Sequence, residues 1–246
     1  MIAAILWSAV ATVTLLIGMA LAYGDLVGER WTALVMAFGA GAIVNAVAFQ
    51  LILGAVSEAS NKTLRVGLGL AAGALTFYLA DRWVDRLGGK DRLDFEGKQA
   101  GGSGTAILLG SLLDGVPESL VLGLSLVHSP HVSLAFVFAV TISNIPQGLG
   151  GTSGMLKGGW RRSKITRLWV AVCVASVAAA VVGYWLGRVL PGANGVIADS
   201  FAAGALLVML TDSMIPESFE HGGRETGLAL VLGFAVAGVV ALAQAG

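Results

Sequence analysis

The sequence is poor in cysteine, histidine and charge, and each shortage excludes a class of protein. It has one cysteine and three histidines in 246 residues, which rules out a disulfide framework or a cluster of thiolate metal ligands. The lone Cys173 lies in an apolar run and is expected to be a small buried hydrophobe. A formal net charge of zero gives no reason to expect a nucleic-acid partner. No Gly-x-x-x-x-Gly-Lys-(Ser/Thr) stretch occurs, so the sequence does not indicate ATP binding.

Apolar residues are abundant instead. They make up 56% of the chain, charged residues only 12%, and the mean hydropathy is +0.83, as in a polytopic membrane protein. Eight segments meet the requirement of about 20 apolar residues for a membrane span. They are 2–23, 32–56, 64–81, 105–127, 131–155, 168–189, 196–216 and 226–244. The first has no basic region or cleavage site before it, so we expect a true span and not a signal peptide. The prediction is one all-α transmembrane helix bundle over residues 1–246.

The basic residues orient this bundle. The connections after the first, third, fifth and seventh spans carry 12 of the 15 lysines and arginines, which places them in the cytoplasm and both termini outside. The longest connection, 82–104, is charged and glycine-rich and is expected to be a mobile cytoplasmic loop. It separates the first three spans (1–81) from spans four and five (105–155) and the last three (156–246). The composition favours a bacterial plasma (inner) membrane.

An internal repeat is indicated by two similar stretches. Phe38-Gly-Ala-Gly-Ala-Ile-Val in the second span is similar to Phe201-Ala-Ala-Gly-Ala-Leu-Leu in the seventh, 163 residues later. An even-numbered span matched to an odd-numbered one predicts an inverted repeat, with spans 1–3 and 6–8 arranged around spans 4–5. The alternative is that two helices rich in alanine and glycine resemble each other without common origin.

Two carboxylates lie inside the fourth span. Asp114 and Glu118 are four residues apart, hence on one helical face, and would cost several kcal/mol each if they faced lipid. Pro117 lies between them and cannot donate a backbone hydrogen bond, so the carbonyl of Leu113 is freed beside the acids. Carboxylates and a freed carbonyl together are hard oxygen ligands for a cation.

The fifth and seventh spans repeat this pattern of oxygen-bearing side chains around a proline. They are Ser143, Asn144 and Gln147 around Pro146, and Asp212, Ser213 and Glu217 around Pro216. Kinked helices with such side chains near mid-membrane are typical of the binding sites of secondary transporters. None of these spans contains a lysine or arginine that would neutralise Asp114 and Glu118. This favours a bound cation over a purely structural hydrogen-bond network, although Ser143, Asn144 and Gln147 would also serve as interhelical contacts.

The residues at this point resemble the ZIP (Zrt-, Irt-like protein) family of zinc and iron transporters. Asp114-Gly-Val-Pro-Glu-Ser and Ser143-Asn-Ile-Pro-Gln-Gly are similar to the family's His-Asn-x-Pro-Glu-Gly and His/Gln-x-x-Pro-Glu-Gly. Asp212-Ser-Met-Ile-Pro-Glu is similar to its seventh-span Glu-(Leu/Ile)-(Leu/Ile)-Pro-Glu, and the second span, from Ala37 to Ala59, is similar to the family's second span. The resemblance implies eight spans, inward transport of a divalent metal without enzymatic activity, and a homodimer that alternates access by moving one helix group against another.

The resemblance also assigns roles to residues. Asp114 stands where the family has a metal-binding histidine, Glu118 where it has a bridging glutamate, and Ser143 and Asn144 at two further ligand positions. Gln147 replaces the second bridging carboxylate, and Ser213 replaces a seventh-span glutamate, with Asp212 as a possible substitute. Oxygen-only sites suit Mn²⁺, Mg²⁺, Ca²⁺ or ferrous iron better than Zn²⁺, and the reduced ligand set predicts one metal and not two. The metal is the transported substrate, and no other cofactor is expected.

Two further groups lie at the ends of the path. Glu217, Glu220 and His221 are spaced to share a helical face at the inner end of the seventh span, either as a release site or as solvated residues of a helix end. His128 and His131 flank the outer turn between the fourth and fifth spans, either as a capture site at the entrance or as part of a solvated loop.

Two other functions stay open. A ZIP-like protein that has lost transport would serve as a metal sensor or as a partner of other membrane proteins. An intramembrane acid–base enzyme would pair Asp114 with Asp212 or Glu118, since apposed carboxylates can share a proton. The enzyme is disfavoured because amide and hydroxyl neighbours suit an ion better than a bulky substrate.

Overall fold

A computed structural model describes residues 1–53, 63–90, 92–93, 104–128, 132–189 and 193–245, and these residues form helices and short connections without any strand. The α-helices are α1 (Ile2–Tyr23), α2 (Glu29–Ala46), α3 (Thr63–Val84), α4 (Gly104–His128), α5 (Leu134–Lys157), α6 (Arg162–Val189), α7 (Ala193–Met209), α8 (Ile215–Gly222) and α9 (Thr226–Ala245). Three of them continue into π-helical segments: Val47–Ile52 after α2, Asp85–Gly89 after α3 and Leu210–Met214 after α7. The all-α prediction is confirmed.

The outer surface of the bundle is apolar. Seven helical stretches of the described residues are long and apolar enough to cross a membrane, judged by length and composition. Many large apolar side chains are exposed, and those of Leu64, Leu228 and Leu242 are about three-quarters exposed. Such a surface is unfavourable in water and favourable in lipid. The fold therefore fits a multi-pass integral membrane protein.

The last of these stretches, Val196–Gln244, is broken near its middle. A straight helix of its 49 residues would be about 73 Å long, more than twice the hydrocarbon thickness of about 30 Å. Gly223 adopts φ 72° and ψ −151°, a conformation that is favourable only for glycine. It ends α8, and a single 3₁₀ turn, Gly223–Glu225, leads into α9.

The chain reverses direction at this turn. Gly222 lies against Ala33 near the start of α2, whereas α7 packs on the π-helical segment that follows α2. α7 and α8 therefore run antiparallel to α2. α9 runs parallel to α2, since Gly238 near its end lies against Asn45 near the end of α2.

Glycines bring four pairs of the described helices into backbone contact. In two of these pairs, α2 with α9 and α3 with α7, a Cβ atom at any of four glycines would collide with a backbone carbonyl of the partner helix, so only glycine permits the approach. The contacts are Gly41 with Leu230 and Gly233 with Phe38 between α2 and α9, and Gly204 with Leu70 and Gly73 with Phe201 between α3 and α7. Each pair is reciprocal, with a spacing of three residues on both helices.

These contacts follow the offset of the sequence repeat. Phe38 and Gly41 precede Phe201 and Gly204 by 163 residues, and both stretches make the equivalent contact. The π-helical segments after α2 and α7 start at the same offset. The two similar stretches are thus alike in backbone conformation and in packing as well as in sequence.

Some predicted boundaries and breaks differ from the structure. The third helix continues past residue 81 to Val84, and the π-helical segment extends it to Gly89. The connection predicted as a mobile loop therefore begins as ordered helix, and its residues 91 and 94–103 lie outside the described residues. Pro117 and Pro146 lie within α-helices that continue on both sides, whereas Pro216 follows a π-helical segment. In the described helices, an α-helix is therefore interrupted next to only one of the three prolines at which a kink was predicted.

Candidate cation site

The two carboxylates of α4 lie in the interior of the bundle. Asp114 is 1% exposed and Glu118 is 3% exposed. They share one face because they are four residues apart on a continuous helix. α4 packs most extensively on α6, where Gly115 leaves room for the hydroxyl of Ser176. The acids are thus held within protein and are shielded from lipid.

Asp114 is paired with an arginine from the connection after α3. The Nε and Nη2 atoms of Arg92 donate to its two carboxylate oxygens at 2.8 and 3.0 Å, which is a bidentate pair. Nη2 also donates to Asp81 of α3 at 2.7 Å. Asp85 lies 3.8 Å from Nη1. Arg92 itself is 3% exposed, so this is a buried network of one cation and several carboxylates.

The charge of Arg92 is secured by these partners. Burial alone would lower its pKa, but the charges and hydrogen bonds of Asp114 and Asp81 outweigh burial and hold the pKa above its ordinary value. The guanidinium is therefore cationic at any physiological pH. It balances the charge of one of the two carboxylates that it bridges.

Sequence reasoning missed Arg92 because it searched for a neutralising cation only within the spans. The arginine belongs to the connection that was predicted to be a mobile cytoplasmic loop. One signal was available: Gly110 lies one helical turn before Asp114, and a Cβ there would collide with the Cδ atom of Arg92. A glycine at this position indicates that another group crosses α4 beside the acid.

Glu118 is held differently from Asp114. No hydrogen bond or ion pair engages its carboxylate within the described part of the chain, although it is buried. Asp114, one turn away on the same helix, adds a charge of the same sign. An ionised carboxylate in such a place is costly unless a cation compensates it.

The three polar residues of α5 are all buried, and Ser143 and Asn144 have different hydrogen-bond partners. Ser143 donates to the carbonyl of Val140 in its own helix at 3.0 Å. The side-chain amide of Asn144 donates to the carbonyl of Ala11 in α1 at 3.0 Å, and its buried Oδ1 atom has no hydrogen-bond partner. Gln147 is 4% exposed. Among the described residues, none of the three is hydrogen-bonded to Asp114 or Glu118.

A further oxygen on α4 was not singled out from the sequence. The hydroxyl of Ser111 is buried and has no hydrogen-bond partner among the described residues, and it lies seven residues before Glu118 on the same helical face. Its signal in the sequence is the spacing 111, 114 and 118, which repeats polar residues along one stripe of an otherwise apolar helix.

Asp212 and Ser213 do not lie with the buried residues of α4 and α5. Asp212 is exposed and Ser213 is half-buried, with its hydroxyl donating to the carbonyl of Met209 at 2.7 Å. Both line a cavity of about 430 Å³. Its other lining residues are Asp81, Asp85, Lys90, Arg92, Leu93, Pro216, Glu217 and Glu220. The predicted set therefore divides into a buried group and a group in an acidic cavity, and Arg92 touches both.

The predicted release residues form a compact cluster. Ligand atoms of Glu217, Glu220 and His221 lie within 4.8 Å of one another. The Nδ1 atom of His221 lies 3.4 Å from a carboxylate oxygen of Glu217, and both glutamates line the acidic cavity. At the opposite end of the path, His131 lies outside the described residues, and only the backbone of His128 is described.

Comparisons with known proteins do not extend this assignment. Searches against models of protein families and against curated proteins find no match for the chain. The likeness to the ZIP family consequently rests on the motifs of spans two, four, five and seven and on their order.

Proposed function

We propose that this chain is a membrane transporter, similar to ZIP proteins, that moves a divalent metal cation of the zinc, manganese or iron class into the cytoplasm. In this proposal the polypeptide crosses the membrane eight times with both termini outside, and it acts as a homodimer. The reversal of the chain at Gly223 supports the eighth crossing, because it divides the last apolar stretch into two antiparallel rods.

The observation that carries the proposal is the buried Glu118, whose carboxylate is not paired within the described chain. The unpaired Oδ1 of Asn144 and the hydroxyl of Ser111 are further buried oxygens without partners. Native proteins leave few buried polar atoms unsatisfied. Oxygen atoms of this kind in an apolar bundle are suited to a passing cation, which would compensate their burial.

The acidic cavity supports a route between these oxygens and the cytoplasm. Arg92 is a lining residue of the cavity and a partner of Asp114 at the same time. Asp212, Glu217 and Glu220 also line the cavity, whose carboxylates outnumber its two basic side chains. A cleft with an excess of negative charge raises the local concentration of cations. A cation leaving α4 would thus meet carboxylates on its way.

The types of ligand atom indicate which metal the site would prefer. Carboxylate, amide and hydroxyl oxygens are hard ligands, and His221 is the only nitrogen ligand in the described cavity cluster. Such oxygens suit Mn²⁺ or ferrous iron better than Zn²⁺. We therefore expect Mn²⁺ and Fe²⁺ to be carried in preference to Zn²⁺, and one metal to be bound on α4.

The test is metal uptake by the purified protein in liposomes. Glu118→Gln keeps the size of the side chain and removes its charge, so it should lower the initial rate of Mn²⁺ uptake by at least about 10- to 100-fold, the range already seen when a residue that only orients a metal ligand is lost. Asp25→Asn is the matched control, because it makes the same chemical change at an exposed turn whose positive φ of 51° suits asparagine. Equal uptake by the wild type and the Glu118→Gln variant would overturn the proposal.

A sensor without transport is a second candidate, and the Arg92–Asp114 pair favours it, since a ligand position is already engaged. The same liposomes separate the two. A sensor binds Mn²⁺ in detergent but shows no uptake above protein-free liposomes, whereas a transporter shows both.

A further inference from the structure

Arg92 holds both oxygens of Asp114, the residue placed at the first ligand position of α4. The bidentate contact uses Nε and Nη2 at 2.8 and 3.0 Å. A divalent metal needs direct contact with a carboxylate oxygen at about 2.0–2.6 Å. A metal ion and the guanidinium are both cationic, so they would also repel each other strongly in this buried place. Asp114 can therefore serve one of them at a time.

The packing of the neighbouring helices leaves space for the side chain of Arg92. Gly110 lets the arginine side chain cross α4, and the backbone carbonyl of Arg92 lies near Gly151 of α5. The Nη1 atom also approaches the carbonyl of Gly89 at 3.5 Å. Contacts from α3 and α4 thus converge on one side chain that is 3% exposed, and α5 lies against the backbone of the same residue. The position is determined by packing as well as by charge.

We infer that Arg92 is a tethered competitor of the transported cation: it occupies Asp114 in the metal-free protein and must release Asp114 before a divalent cation can bind there. This inference rests on the proposed function and deepens it by naming the residue that sets metal affinity. It makes Arg92 a positioning and specificity-determining residue of the site. A cation binds only if its contacts with Asp114 and Glu118 exceed those of the guanidinium.

Carboxylates near Arg92 can hold its guanidinium after it leaves Asp114. Asp81 is bound by the same guanidinium at 2.7 Å, and it lines the acidic cavity with Asp85 and Asp212. Arg92 can therefore give up Asp114 and keep its contacts with the cavity carboxylates. Either the guanidinium or the metal ion then compensates the charge of Asp114, so the carboxylate is never buried without a cation.

The first experiment measures Mn²⁺ binding by titration calorimetry on the full-length protein in detergent. Arg92→Gln alone would leave two buried carboxylates without a cation and would endanger folding. The variant is therefore made with Asp81→Asn and compared with Asp81→Asn alone. The double variant should bind Mn²⁺ at least about tenfold tighter than the single variant. Adding Asp114→Asn should abolish this gain, because the competition takes place at Asp114.

The second experiment leaves Arg92 intact. Leu93 is 3% exposed and would move with its neighbour, so Leu93→Cys in a Cys173→Ala background reports release of the arginine. Its reaction with N-ethylmaleimide should become severalfold faster when Mn²⁺ is added. With Asp114→Asn present, the reaction should be fast from the start and insensitive to Mn²⁺, since Arg92 has lost its main partner.

The outcomes separate this inference from the proposed function. If Arg92→Gln/Asp81→Asn and Asp81→Asn bind Mn²⁺ equally tightly, or if Mn²⁺ leaves the labelling of Leu93→Cys unchanged although it binds, Arg92 is not a competitor and the transporter proposal stands. If neither the wild type nor any variant binds Mn²⁺ or another divalent metal, both are overturned. A gain in affinity that depends on Asp114 supports both.

Discussion

The contact between α3 and α7 can be tested with one methyl group. A Cβ atom at Gly73 would collide with the backbone carbonyl of Phe201, which cannot rotate away, so Gly73→Ala forces the two helices apart. Gly67 lies on the same helix and is exposed, with nothing within 4 Å of its Cβ position. The two alanine variants share the same gain in helix propensity, up to about 1 kcal/mol. The difference in stability between the two variants therefore measures the cost of the collision at Gly73.

The expected magnitude follows from the rigidity of the contact. Inserting a methyl group into a well-packed interior costs about 1–3 kcal/mol, and collision with a backbone atom places this case in the upper half of the range. The thermal midpoint changes by about 2–4 °C per kcal/mol for a chain of this size. Gly73→Ala should therefore unfold roughly 4–12 °C below Gly67→Ala in the same detergent, as followed by circular dichroism.

A double variant examines the reciprocal geometry. Gly204 makes the equivalent contact with Leu70 on the same pair of helices. Once Gly73→Ala has separated the helices, Gly204→Ala should cost less than it does alone, since neighbouring sites are not additive. A midpoint for Gly73→Ala at or above that of Gly67→Ala, or strictly additive costs, would refute glycine-mediated packing of α3 on α7.

Three further outcomes are expected from the polar contacts. Arg92→Met should lower the free energy of unfolding by about 3–5 kcal/mol because it leaves charges buried, and adding Asp81→Asn and Asp114→Asn should restore most of it; a triple variant as unstable as the single one in denaturant titrations would contradict this. The hydroxyl of Ser133 accepts a hydrogen bond from the backbone of the first turn of α5. Ser133→Ala should therefore lower the free energy of unfolding by about 1 kcal/mol, with faster amide exchange confined to that turn. Arg30→Gln should leave the thermal midpoint unchanged at low and at high salt, because its ion pair is exposed; a lower midpoint at low salt alone would indicate otherwise.

The conditions of a membrane explain why much of the fold could be predicted. Backbone groups in lipid must be bonded within their own helix, so long apolar runs become helices whatever their neighbours are. The predicted start and end of the first span, 2–23, agree with Ile2–Tyr23, and the fourth span differs by one residue at each end. The ends of α3 were predicted less well, because the helix continues into a charged stretch that is no longer apolar.

The candidate site was predictable only in part. Spacing on one helix placed Asp114 beside Glu118, and this follows from helical geometry alone. Joining Asp212 to them assumed that prolines in different spans meet at one depth, whereas the structure places Asp212 in the acidic cavity. The pairing of Arg92 with Asp114 joins residues separated by an undescribed stretch of chain, and no periodicity could indicate it.

Apolar length and the distribution of charge, which act locally along the chain, predicted an all-helical bundle that fits a membrane and has acids within its apolar helices. Sequence similarity at a fixed offset also predicted a repeat. Which of the two carboxylates pairs with a cation among the described residues was decided by the tertiary structure. Charge pairing depends on distances of a few ångströms in space, and only the packing of the helices brings Arg92 to both oxygens of Asp114, whereas no described cation pairs with Glu118.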